Sequence, residues 1–154
     1  MANLGSLAKD TAIYGLSSII GRFLNYLLVP LYTAKLSVAS GGYGVITNIY
    51  SYTALILVIL TFGMETTFFR FTNKENENPN TVFSTTLIAV GSVALMFVLL
   101  VMGFLPWISS GMGYSDHPEY IAVMAVVVAL DAFQAIPFAY LRYKHKPIKF
   151  ASLK

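Results

Sequence analysis

Apolar residues in this chain fall into four long runs, separated by short stretches rich in glycine, asparagine or basic residues. The first run, IYGLSSIIGRFLNYLLVPLYTAK from Ile13 to Lys35, sets the scale for the others. A helix rises about 1.5 Å per residue, so about 20 residues cross a hydrocarbon core about 30 Å thick. On that measure the pattern predicts spans over about 13–35, 43–67, 81–108 and 120–140. Residues 1–12 form a short cytoplasmic lead, and 141–154 a basic cytoplasmic tail or the start of a fifth helix. The fold class expected is all-α: a polytopic membrane helix bundle with four transmembrane helices.

Within two of the runs the polar positions keep helical phase. Thr11, Gly15, Ser18, Arg22, Asn25 and Tyr32 recur at steps of three, four and seven, which puts them on one face of the first helix. Ile20, Phe23, Leu24, Leu27, Leu28 and Leu31 cover the rest, and Pro30 is expected to kink the outer end. Thr47, Ser51, Ala54, Val58, Thr61 and Glu65 give the second helix a small and polar stripe, closed by FFRF at the headgroup level. Leu87 to Leu105 is almost uniformly apolar and has the most freedom to face lipid, with Trp107 beside Pro106 at the far interface. Turns fall at Ser37–Gly44 and Ser109–Pro118, and a solvated loop at Thr72–Asn80.

Composition agrees with the pattern. The 154 residues are 56% hydrophobic and only 11% charged, against about 25% charged in soluble domains. Mean hydropathy is +0.68. A net charge of +3 could suggest nucleic acid, but most basic residues flank apolar runs instead of forming a binding face, so no nucleic-acid partner is expected. The chain has no cysteine, and its histidines, His117 and His145, stand apart, so no metal site and no cofactor is expected. The start MANLGSLAKDT lacks a basic n-region, so the first run is expected to remain as a signal anchor. With the N-terminus inside, Lys9, Arg70, Lys74, Arg142, Lys144, Lys146, Lys149 and Lys154 are cytoplasmic and Lys35 is the one loop cation outside.

Three ionisable residues then lie at membrane depth. Arg22 and Asp131 each fall about 15–16 Å from the cytoplasmic surface, level with one another, and Glu65 about 7–8 Å deep. A guanidinium near the midplane costs at least about 2.5–3.5 kcal/mol, so Arg22 should face a cavity or an acidic partner. Two readings stand open: a structural ion pair between Arg22 and Asp131, or a cavity in which Arg22 receives an anionic substrate while Asp131 tunes it or exchanges a proton. Glu65 lies about 140° around the helix from Arg70, which separates the two as partners. Nothing suggests a base, nucleophile and oxyanion donor converging on an aqueous pocket, so no catalytic residue is named and the chain is not expected to be an enzyme. The tyrosines Tyr26, Tyr32, Tyr50 and Tyr52 suit interfacial belts or packing better than sugar stacking.

The stretches LAKDTAIYGLSSIIGRFLNYLLVPLYT (Leu7–Thr33), the YG at Tyr43-Gly44, FGMETTFFRF (Phe62–Phe71) and LRYKHKPIKF (Leu141–Phe150) resemble, in order and spacing, the N-terminal part of a Wzx-like polysaccharide or O-antigen flippase. These proteins belong to the MATE-like MOP superfamily. The resemblance implies twelve to fourteen helices in two six-helix lobes around an alternating cavity. It implies flipping of undecaprenyl-diphosphate-linked oligosaccharide from the inner to the outer leaflet for lipopolysaccharide or exopolysaccharide assembly. Arg22 matches the first-helix arginines that meet the diphosphate in related flippases, and its face adds Asn25 and Ser18 to the expected substrate-binding set. Asp131, Glu65 and Arg70 are the expected coupling or ion-pair residues. Partners implied are lipid-linked oligosaccharide, membrane lipids, a polysaccharide polymerase and glycosyltransferases, in the bacterial inner membrane with both termini of this stretch cytoplasmic. Since the family needs two lobes, these 154 residues are expected to be an N-terminal fragment.

Two other functions fit parts of the pattern. A cation-coupled multidrug exporter of the same superfamily would favour acidic cavity residues, and a non-transporting four-helix assembly protein would keep Arg22 and Asp131 permanently paired.

Overall fold

The computed structural model describes residues 4–35, 42–74 and 77–153; within the first helix several side chains, those of Ser18, Arg22 and Asn25 among them, lie outside the described residues. The described residues form helices α1 (Leu4–Lys35), α2 (Gly42–Thr61), α3 (Met64–Thr72), α4 (Pro79–Gly103), α5 (Leu105–Gly111), α6 (Pro118–Tyr143) and α7 (Pro147–Leu153), with no strand among them. The chain divides into two units, residues 1–48 with 140–154 and residues 49–139, so α2 and α6 each contribute to both.

In the first unit α1 runs for 32 residues, about 48 Å, and is uninterrupted at Pro30. It begins nine residues before the apolar run does, because LGSLAKDTA carries good helix formers even where it carries charge. After Pro30 the Thr33 hydroxyl bonds back to the carbonyls of Val29 and Pro30 at 3.1 and 3.0 Å. Leu16, Ile19, Phe23, Leu27 and Leu31 each expose more than half their surface, a face that hydrocarbon or another helix must cover. After α6 the chain turns into the seven-residue α7. At the end of α6 the Lys146 N–H donates to the Leu141 carbonyl and the His145 N–H to that of Arg142, both at 3.1 Å, around a left-handed His145 with φ 51°. This is a Schellman turn with histidine in the usual glycine position, and Pro147 opens α7 after it. Phe150 anchors α7 on α1: it is 3% exposed, meets the Tyr14 ring edge-on at 5.0 Å, and lies 5.7 Å beneath the Arg142 guanidinium.

In the second unit the single helix expected over 43–67 is broken. Phe62 and Gly63 both take left-handed backbone, φ 46° and 64°, which ends α2 and starts α3 on a new axis. Likewise 81–108 divides at Phe104, because Pro106 lacks an N–H and its ring would strike the Met102 carbonyl in a continued helix. The core joins Leu60 of α2, Val90, Ala94 and Val101 of α4, and Ile121, Met124, Ala125, Val128, Ala129, Ala132 and Ile136 of α6. The α6 residues recur at steps of three and four, and their alanines let neighbours approach. On α4, Ile88, Leu95 and Leu99 are exposed while Val90 and Ala94 are buried. Phe133 covers Gly91 so closely that a Cβ there would lie 3.2 Å from the ring.

Three segments among the described residues are long and apolar enough to cross a membrane: Gly42–Thr72, Pro79–Gly103 and Pro118–Tyr143. The turn expected over 37–44 lies largely outside the described residues, α2 beginning at Gly42.

Candidate functional site

Positions 18, 22 and 25 are all in helical backbone of α1, so their steps of four and three place them along one face. The side chains of Ser18, Arg22 and Asn25 lie outside the described residues, and so does any pairing of Arg22 with Asp131.

Asp131 is half-buried on α6, beside the buried Ala132. The Gln134 side-chain amide donates to its carboxylate at 2.6 Å, so these two polar groups of the span are brought together one turn apart. Three residues on, Pro137 has no N–H for the Phe133 carbonyl, which leaves a second acceptor at this level of α6.

Glu65 and Arg70 sit at opposite ends of the nine-residue α3, Glu65 half-buried in its first turn and Arg70 exposed in its last. Each end suits its charge, since backbone dipoles favour an anion at the N-terminus and a cation at the C-terminus. The break at Gly63 also removes Glu65 from the stripe formed by Thr47, Ser51, Ala54, Val58 and Thr61. A stripe running on to Glu65 requires one unbroken helix, and the left-handed pair at 62–63 re-phases everything after it.

The new axis of α3 opens a cleft of about 260 Å³ against α4. Met64, Phe71, Val82 and Ala89 give it apolar walls, and Thr67, Thr81, Thr85 and Glu77 add hydroxyls and one carboxylate. Thr86 also lines it, but its hydroxyl is committed to the Val82 carbonyl at 2.7 Å. Lys74 lies over the Phe71 ring at 4.7 Å. The lining can take up an apolar chain or a hydroxyl-bearing group; it holds neither a nucleophile–base pair nor a cation among the residues facing it. Sequence reasoning missed this cleft. The spacing of Thr81 and Thr85 was visible, but their alignment with Thr67 exists only once the helix breaks.

The turn before α6 holds a second unanticipated cluster. His117 Nδ1 and Glu119 Oε1 are 2.8 Å apart, and the His117 ring stacks on Tyr120 at 4.9 Å, with Tyr114 edge-on to Tyr120 at 6.3 Å. The described residues contain no group of three or more histidine, cysteine or acidic side chains placed to hold a metal ion.

Long apolar helices with one packed face and one exposed apolar face, and polar groups set within them, define an α-helical membrane protein. The chain belongs to the polysaccharide biosynthesis protein family, whose model matches residues 7–147. Comparison with curated proteins and with solved structures gives no match.

Proposed function

We propose that these helices act in a Wzx-like flippase that carries undecaprenyl-diphosphate-linked oligosaccharide from the inner to the outer leaflet of the bacterial inner membrane. The observation that carries this reading is the family match over 7–147, which takes in all three candidate spans, Gly42–Thr72, Pro79–Gly103 and Pro118–Tyr143. In this reading α1 is a fourth span, and both termini of the stretch are cytoplasmic by the distribution of lysine and arginine. Arg22 meets the diphosphate, Ser18 and Asn25 hydrate the first sugars, and the polyprenyl tail stays in lipid. Asp131, held by Gln134, is the coupling residue that exchanges a proton, while Glu65 and Arg70 fix α3 at the cytoplasmic end. The activity is movement without a covalent step, so the protein is not an enzyme. A glycosyltransferase supplies the substrate and a polymerase consumes it.

Chromosomal Arg22→Ala in the source cells tests the reading. Loss of a charge-assisted contact to the diphosphate should reduce surface polysaccharide by about tenfold or more, with repeat units accumulating on the inner leaflet and Arg22→Lys retaining part of the flux. Unchanged surface polysaccharide in both Arg22→Ala and Asp131→Asn, at normal protein levels, overturns it. Export of cationic dyes that depends on Asp131 would favour a multidrug exporter instead.

A further inference from the structure

We infer that the elbow between α6 and α7 is a docking surface for anionic phospholipid headgroups in the leaflet that meets the end of α6. The inference requires that α6 span a bilayer and does not depend on what the protein moves. Arg142, Lys144, Lys146 and Lys149 lie within eight residues, with no acidic residue between Asp131 and Lys154. The span closes at Tyr143, so these cations stand where a bilayer's headgroups begin.

The backbone fixes how they are presented. The Schellman turn at His145 reverses the chain at once, and Phe150, clamped between Tyr14 and Arg142, holds α7 against α1. Lys146 and Lys149 are consequently exposed on an anchored element instead of a loose tail. Lys144 is placed by aromatic rings, its Nζ lying 5.4 Å from the Tyr140 ring and 5.8 Å from that of Tyr143. Tyrosine beneath lysine is the arrangement of a membrane interface, where ring and ammonium occupy adjoining levels.

An acidic protein or nucleic acid would also be attracted by the charge, but two further side chains favour a lipid surface. Ile148 and Leu153 of α7 are 74% and 69% exposed while Phe150 of the same helix is buried on α1. Exposed aliphatic side chains among lysines, next to a membrane span, match a bilayer boundary, in which phosphate and acyl chain lie within one helix diameter of each other.

The purified chain in detergent, titrated with phosphatidylglycerol or phosphatidylcholine and read by native mass spectrometry, tests this. The expected result is a clear preference for phosphatidylglycerol that weakens as salt rises. Replacing Lys144, Lys146 and Lys149 by glutamine should lower that affinity by about fivefold per lysine, on the order of a hundredfold in all. The triple arginine variant should keep the preference, which separates lost charge from lost folding. Ile148→Ser should weaken both lipids alike by a few fold. Equal binding of the two lipids, an unchanged triple glutamine variant, or a loss reproduced by Arg70→Gln with Lys74→Gln would overturn the assignment. So would displacement of phosphatidylglycerol by an oligonucleotide at equal phosphate concentration.

Discussion

The break between α2 and α3 makes a sharp test, because one substitution at two sites should change stability in opposite directions. Gly63 has φ 64° and nothing within 4 Å of an added Cβ, and Gly15 has equally open space within α1. Alanine at 63 meets no neighbour, so its cost is backbone strain alone, about 1–2 kcal/mol for a left-handed residue. Restricting the unfolded chain returns about 0.4–1 kcal/mol, leaving Gly63→Ala destabilised by about 0.5–1 kcal/mol. Gly15→Ala carries no such strain and should stabilise by up to about 1 kcal/mol. Unfolding in mixed micelles, followed by circular dichroism, measures both. A further route must be watched: alanine could fuse α2 to α3. The chain has no cysteine, so spin labels at Ala54→Cys and Thr66→Cys report that distance without background. A fused helix would hold those Cα atoms about 18 Å apart. Equal stabilisation at both glycines, with that distance already present in the unsubstituted protein, would refute a left-handed residue 63.

Two packing predictions follow from single contacts. Phe150→Ala removes the anchor of α7 and should cost about 3 kcal/mol or more, raising the rate of trypsin cleavage after Lys149 on the order of a hundredfold. A change under about threefold would show that α7 is held otherwise. At Gly91, leucine must displace the Phe133 ring that already lies 3.2 Å from an added Cβ, and should cost about 1–3 kcal/mol. That penalty should fall in a Phe133→Ala background, a coupling visible in a double-mutant cycle.

Helical periodicity was legible wherever the apolar pattern ran unbroken, and it ceased to be a guide where backbone chemistry interrupts it. The polar stripes of the first two runs are legible that way, whereas the packed faces of α4 and α6, with Val90, Ala94, Val128, Ala132 and Ile136 buried, emerge only in the structure, because an almost uniformly apolar run carries little polar contrast. The break before Pro106 went unread because the hydropathy of the run over 81–108 concealed it, since apolar side chains register the solvent and not the hydrogen-bond ladder. Gly63 is harder to read, because a glycine inside an apolar helix is often only a weak point, and its left-handed partner here is Phe62, a residue that seldom takes positive φ. The candidate site divides in the same way. An arginine and an aspartate within apolar runs are visible as such, because a charge at membrane depth demands a reason whatever the fold. The cleft of Thr67, Thr81 and Thr85 was not visible, since it is made by the break itself. If α2 and α3 were one helix, Glu65 would return to the stripe of Thr47 and Ser51. The two left-handed residues at 62 and 63 thus decide which polar groups share a helix face in this half of the chain.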